Sequence, residues 1–174
     1  MNIAPPQHAI DAGHFRRVMG RFATGVTVIT AEAHGERRGM TANAFMSGSL
    51  EPPLCVVSVA KRAHMHGHLT AAGRFGVNVL AAGQENLATH FAGRPVPNFH
   101  VPFHDAGGVP ALPGTAALIT AEVVATHDCG DHTIFIGHIL SMAAGDKAPL
   151  LYHASRFAAL VVLREEAPAL PEFW

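Results

Sequence analysis

Over residues 14–22 the apolar positions Phe15, Val18, Met19 and Phe22 recur at the spacing of one helical face, and Thr24 and Gly25 close the segment. A β-branched run follows at 26–31 and ends in a polar turn at 34–39, which predicts a strand entering a hairpin with 40–46 as its partner. Pro52 and Pro53 then interrupt pairing, and the almost wholly apolar run 54–59 predicts a strand buried on both faces. Residues 63–72 carry no proline and are bounded by Gly73, as suits a short helix that Gly67 weakens from within. Strand character resumes over 75–80, and 84–91 forms a second short helix, with Leu87 and Phe91 four apart and Gly93 as its stop.

The texture changes at Arg94. Pro95, Pro97, Pro102, Pro110 and Pro113 make 94–114 an irregular excursion, expected to lie over a functional surface. Two long β-rich runs, 116–126 and 133–142, are joined by HDCGD, whose Asp and Gly suit a hairpin connection, and 157–163 supplies a last strand. The proline-broken tail 164–174 ends in Phe173 and Trp174 and either frays or docks on a neighbouring subunit. Six or seven strands with irregularly inserted helices favour a closed antiparallel barrel over a doubly wound parallel sheet. One domain spans 1–174, with its core at about 14–163.

A hydrophobic fraction of 49% in 174 residues suffices for one substantial core and excludes disorder. Charged residues are only 14%, so much of the surface must be apolar, small or buried against a partner, and a homo-oligomer is expected. The net charge of −1 offers no broad positive field to nucleic acid or anionic lipid. No apolar run is long enough to span a membrane, the N-terminus lacks the order of a secretory signal, and Cys55 and Cys129 suit a reducing compartment; a soluble cytoplasmic protein is expected.

The chain has no GxSxG elbow, no Walker A loop and no GxGxxG fingerprint. Its 13 histidines invite a metal reading, since His64, His66 and His68 alternate and His127, Cys129 and His132 lie close together. The spacing argues against it. On a helix His64 and His68 share a face while His66 points away, and no HExxH or CxxC completes a ligand set, so no metal is expected. The segment GMTANAFMSGSLEPPL at 39–54 is more informative, because it gathers hydroxyls, amides and backbone N–H groups of the kind that suit a planar, acceptor-rich heterocycle. By residue type alone, Thr41, Asn43 and Ser47 equally describe an edge strand facing water.

Together with that segment, four further blocks stand in order: FRRVMGRFATGVTVIT at 15–30, GRFGVNVLAAGQENLATHFAG at 73–93, GDHTIFIGHIL at 130–140 and PLLYHASRF at 149–157. With these the chain resembles, nearly end to end, the short flavin reductases of the FMN-binding split-barrel superfamily, the reductase partners of two-component flavin monooxygenases. The resemblance implies a mainly β fold, a six-stranded antiparallel Greek-key split barrel with flanking helices, assembled as a homodimer. It implies that NADH or NADPH reduces FMN, FAD or riboflavin, and that diffusible reduced flavin passes to a separate monooxygenase.

By the same resemblance, Met40, Thr41, Ala42, Asn43, Ala44 and Ser47 line the isoalloxazine, and Ser58, Lys61 and Arg62 meet the flavin phosphate and ribityl chain. His132 lies near the nicotinamide and flavin ring as the catalytic candidate, while Phe157 either contacts the dinucleotide or packs in the core. Hydride arriving at flavin N5 leaves electron density on the N1 and C2-carbonyl edge, which backbone N–H groups can meet without a mobile charge. Two departures stand out. Ala63 and Met65 replace hydroxyl residues that many members carry, leaving FMN against FAD open, with His64, His66 and His68 as either substitute donors or solvated imidazoles. The family's later Phe and Trp pairing is blurred, with Phe99 and Phe103 but no Trp nearby. The competing class is a flavin- or haem-carrying split barrel that transfers electrons without NAD(P)H turnover.

Overall fold

The structure, a computed structural model, describes residues 10–161. The tail at 164–174 and the expected end of the last strand at Leu163 lie outside the described residues.

Helix α1 (Ala12–Met19) begins two residues before the apolar pattern because Asp11 caps it, its carboxylate accepting from the His14 N–H at 2.7 Å. No residue of α1 is buried: Phe15, Val18 and Met19 form an apolar face without a partner among the described residues. β1 (Thr24–Gly25) and β2 (Thr27–Ala33) follow, and His34 and Gly35, both at positive φ, turn β2 tightly into β3 (Glu36–Ala42). The polar residues expected in that turn are thus the exposed start of β3, where Arg37 pairs with Glu32 of β2 at 2.8 Å. The returning segment is not one strand. It breaks at Asn43 and Ala44, and β4 (Phe45–Ser49) continues elsewhere in the sheet.

β5 (Leu54–Ala60) alternates buried and half-buried positions, so the expectation of burial on both faces fails there and holds for β2 instead. Position in the sheet is the reason. β2 is flanked by a core on each side, whereas β5 lies beside the edge strand β4 and has no helix over its outer face among the described residues. Helix α2 (His64–Ala72) closes at Gly73, whose φ of 66° lets its N–H reach the Leu69 carbonyl. β6 (Arg74–Val79) and α3 (Glu85–Phe91) follow the pattern closely. The proline-rich excursion holds only a small hairpin, β7 (His104–Asp105) with β8 (Pro110–Ala111). β9 (Ala117–Cys129) and β10 (His132–Ala144) form the long hairpin. β11 (Leu150–His153) and β12 (Arg156–Ala159) form another, where the sequence predicted a single strand over 157–163.

The main sheet has seven strands in the order β3-β2-β6-β9-β10-β5-β4, with every pairing antiparallel, and β1-β11-β12 form a second sheet. The fold is mainly β, as expected, but the strand count is seven rather than six and no ladder joins β3 to β4 among the described residues, so the sheet is not closed. One core packs α2 through Met65 and Leu69 against Ile29, Val57, Phe75 and Phe135; the other packs α3 through Leu87 and Ala88 against Val28, Leu80, Leu112 and Leu150.

Asn78, fully buried on β6, ties these layers together. Its amide donates to the Val28 carbonyl at 2.9 Å and to Thr30 Oγ1 at 3.0 Å, and its carbonyl accepts from the Leu112 N–H at 2.7 Å. Thr30 Oγ1 in turn donates to the Pro110 carbonyl. The proline-rich excursion is thereby pinned to the sheet. Asn78→Ala strands these buried groups without partners and should lower unfolding free energy by about 2–4 kcal/mol, measured by urea denaturation.

Candidate functional site

The break between β3 and β4 opens a groove of about 780 Å³. One wall is Thr41, Ala42 and Asn43; another is α3 and its exit, with Ala88, Thr89 and Arg94; the third is the β11–β12 hairpin, with Tyr152, Arg156 and Phe157. Local hydrogen bonds fix the first wall. Thr41 Oγ1 donates to the Ala88 carbonyl of α3 at 2.7 Å, and Thr27 Oγ1 donates to the Ala42 carbonyl at 2.7 Å. The Thr41 hydroxyl is therefore occupied in holding α3. Tyr152 and Phe157 meet edge to face at 5.7 Å, and Phe157, 40% exposed, lies in the groove rather than in the core.

A second groove of about 630 Å³ shares Thr41 and Ala92 with the first and is lined by Met40, Arg38, His64, His90, Phe91 and Phe103. Gly39 lets the α3 aromatic approach this closely: a Cβ there would sit 2.5 Å from the Phe91 ring.

The remaining expected site residues lie on other parts of the sheet. Ala44 accepts from the Ser58 N–H at 3.1 Å, which links the groove's edge to β5. Ser58 pairs with Ile134 on the outer face, whereas Ser47 pairs with Cys55 on the opposite face, so these two serines do not share a surface. At the far end of β5, Ala60 pairs with His132, the Lys61 N–H donates to the Asp131 carbonyl at 2.9 Å, and Arg62 follows in the turn to α2. His132 Nδ1 is 2.7 Å from Asp131 Oδ1, and that contact holds the Asp131 carboxyl below the usual carboxylate range. The two clusters are thus Thr41–Asn43 with Phe157, and Lys61 and Arg62 with His132.

The histidine cluster separates into individual roles. His66 hydrogen-bonds Thr133 at 2.8 Å and meets Phe135 edge to face, docking α2 on β10; His68 bonds the Glu36 carbonyl at 3.0 Å; His64 lines the second groove. Among the described residues no group of histidine, cysteine, aspartate and glutamate is arranged to hold a metal ion. Cys55 is buried, which pushes its thiol up to about 11 and removes it as a nucleophile, while Cys129 is exposed.

Sequence reasoning missed Arg94, Arg156 and Tyr152 as groove residues. The signal for Arg156 lay in the block PLLYHASRF, but the turn before it is Ala154 and Ser155, at φ of 47° and 63°, with none of the usual Asn-Gly or Asp-Gly chemistry to mark a hairpin.

The groove's planar aromatic wall, backbone-rich β3 edge and two guanidinium groups suit a flat heterocycle carrying anionic groups. The sequence profile described as the flavin reductase like domain matches residues 19–160. An NADH-dependent flavin reductase of a Rhodococcus species is 40% identical over 158 residues, covering 89% of this chain and 90% of the relative. The reductase component of 4-hydroxyphenylacetate 3-monooxygenase from Thermus thermophilus is 40% identical over 142 residues, covering 82% of this chain and 91% of the relative. The solved NADH:FAD oxidoreductase of Streptomyces globisporus, in complex with NAD and FAD fragments, superposes with a TM-score of 0.79 at 39% identity, covering 97% of this chain and 99% of that one. With that profile matched across most of its length, the chain belongs to the flavin reductase like domain family.

Proposed function

We propose that this chain transfers a hydride from NADH to FMN or FAD and releases the reduced flavin to a separate monooxygenase. The observation that carries the reading is the convergence of Thr41, Ala42 and Asn43 with Arg94, Arg156 and Phe157 on one groove, in a chain 40% identical to reductases of this kind over most of its length. Bound flavin supplies N5 as the hydride acceptor. Met40, Thr41, Ala42, Asn43 and Ala44 line the isoalloxazine, and Ser58, Lys61 and Arg62 serve the ribityl and phosphate end; Ser47, on the opposite face of the sheet from Ser58, falls outside the site. Arg94 and Arg156 meet the dinucleotide's phosphates, and Phe157 offers a flat apolar face to its rings. His132 works by position: its Nδ1 is engaged by Asp131, which leaves Nε2 to meet a ligand without acting as a strong acid.

The working unit is a homodimer. Two apolar surfaces support this: the α1 face of Phe15, Val18 and Met19, and the outer row of Met46, Val56 and Ile136 across β4, β5 and β10. The seven-stranded sheet is the family's split barrel, because its two edges, β3 and β4, are joined by only Asn43 and Ala44 and must curl toward each other. No described helix is long and apolar enough to cross a membrane, and a cytoplasmic enzyme fits its nicotinamide donor.

Under anaerobic conditions, NADH with excess FMN or FAD should bleach the flavin absorbance in the presence of the protein; no bleaching with either flavin overturns the reading. His132→Ala should lower kcat for NADH oxidation about tenfold or more while changing flavin Kd less than about threefold. Lys61→Ala should do the opposite, raising FMN Kd about tenfold with kcat nearly unchanged. Replacing Met46 and Ile136 together by Glu should convert the dimer to monomer in light scattering.

A further inference from the structure

Lys61 does not stand free. Its Nζ lies 3.1 Å from Oδ1 of Asp128, the penultimate residue of strand β9 beside the hairpin tip. The two carboxylates of this tip are held differently. Asp131 is tied to His132 at 2.7 Å, whereas the Asp128 side chain is 84% exposed and has Lys61 as its one hydrogen-bonding or ionic partner among the described residues. Lys61 and Arg62 are matched by Asp128 and Asp131, so the corner carries no net charge to offer an anion while Asp128 keeps its place.

We infer that Asp128 competes with the flavin phosphate for Lys61 and thereby sets how loosely the protein holds a phosphorylated flavin. The inference rests on the reading above that Lys61 serves the phosphate end of the flavin. An exposed ion pair is weak and exchangeable, so a phosphate can displace the carboxylate, but afterwards the displaced carboxylate remains close and repels it. The penalty scales with ligand charge. The phosphate monoester of FMN carries close to two negative charges at neutral pH, each phosphate of FAD carries one, and riboflavin carries none. A role in aiming Lys61 at the ligand is disfavoured, because a carboxylate with no second bond cannot preorganise its partner. The arrangement suits a protein whose reduced product must leave, since affinity differences of this kind are expressed mainly in the dissociation rate.

The test is a titration of the full-length protein and its Asp128→Asn and Asp128→Ala variants with FMN, FAD and riboflavin, with circular dichroism confirming the fold and stopped flow reading FMN release. Both variants should lower FMN Kd about two- to fivefold through slower release, lower FAD Kd less and leave riboflavin unchanged. An unchanged or raised FMN Kd, or an equal shift for riboflavin, overturns the inference. Lys61→Ala separates the two levels of the argument. If it abolishes the preference for FMN over riboflavin while the Asp128 variants change nothing, the competition alone fails. If it leaves that preference intact, the phosphate is not at Lys61 and both fall.

Discussion

The link between β3 and β4 is two residues long, yet these strands are the opposite edges of a seven-stranded sheet. A connection of Asn43 and Ala44 spans only a few ångströms per residue, so the sheet has to curve until its edges approach. Its other features follow from that curvature. The inner side becomes a core reached by Phe75 and Phe135, and no described helix covers the outer side over β4, β5 and β10. Where the edges approach, unpaired backbone of β3 faces the groove instead of another strand. The place where regular pairing stops is thus also the place where polar main chain becomes available to a ligand.

Around that edge lie two clusters of different physical character. The groove beside Thr41–Asn43 carries aromatic surface and arginines, with its wall positions fixed by Thr27 and Thr41 hydroxyls that bond main-chain carbonyls. The corner at Lys61 and His132 is polar, exposed and electrically balanced, joined to the sheet through backbone hydrogen bonds. Rigid placement suits ring stacking, which depends on geometry, whereas exchangeable ion pairs suit a charged tail that must bind and leave.

Much of the fold was legible because local pattern and packing agree: α2 ends at Gly73 and the β9–β10 hairpin turns at Gly130 and Asp131, as the residues imply. The failures have physical causes. Hydrophobic runs do not reveal which neighbour covers them, so β5 read as doubly buried although β2 holds that position. The hairpin at Ala154 and Ser155 uses left-handed residues without glycine or asparagine, and β11 went unseen with it. The motif blocks singled out Thr41, Ala42, Asn43 and Phe157, which the fold brings to one groove, while Arg156, beside Phe157 in its block, and Arg94, in the proline-rich excursion, carried no local signal of facing it. The face on which Ser47 stands depended on strand register, which a serine-rich stretch does not encode.

The Ala154 N–H donates to the Gly20 carbonyl at 2.8 Å, so the end of α1 and the turn that carries Arg156 and Phe157 share a main-chain bond. A helix whose apolar side is exposed among the described residues is thereby harnessed to a wall of the groove. The two become linked equilibria: whatever steadies the helix steadies the turn, and by reciprocity whatever rests on the turn steadies the helix.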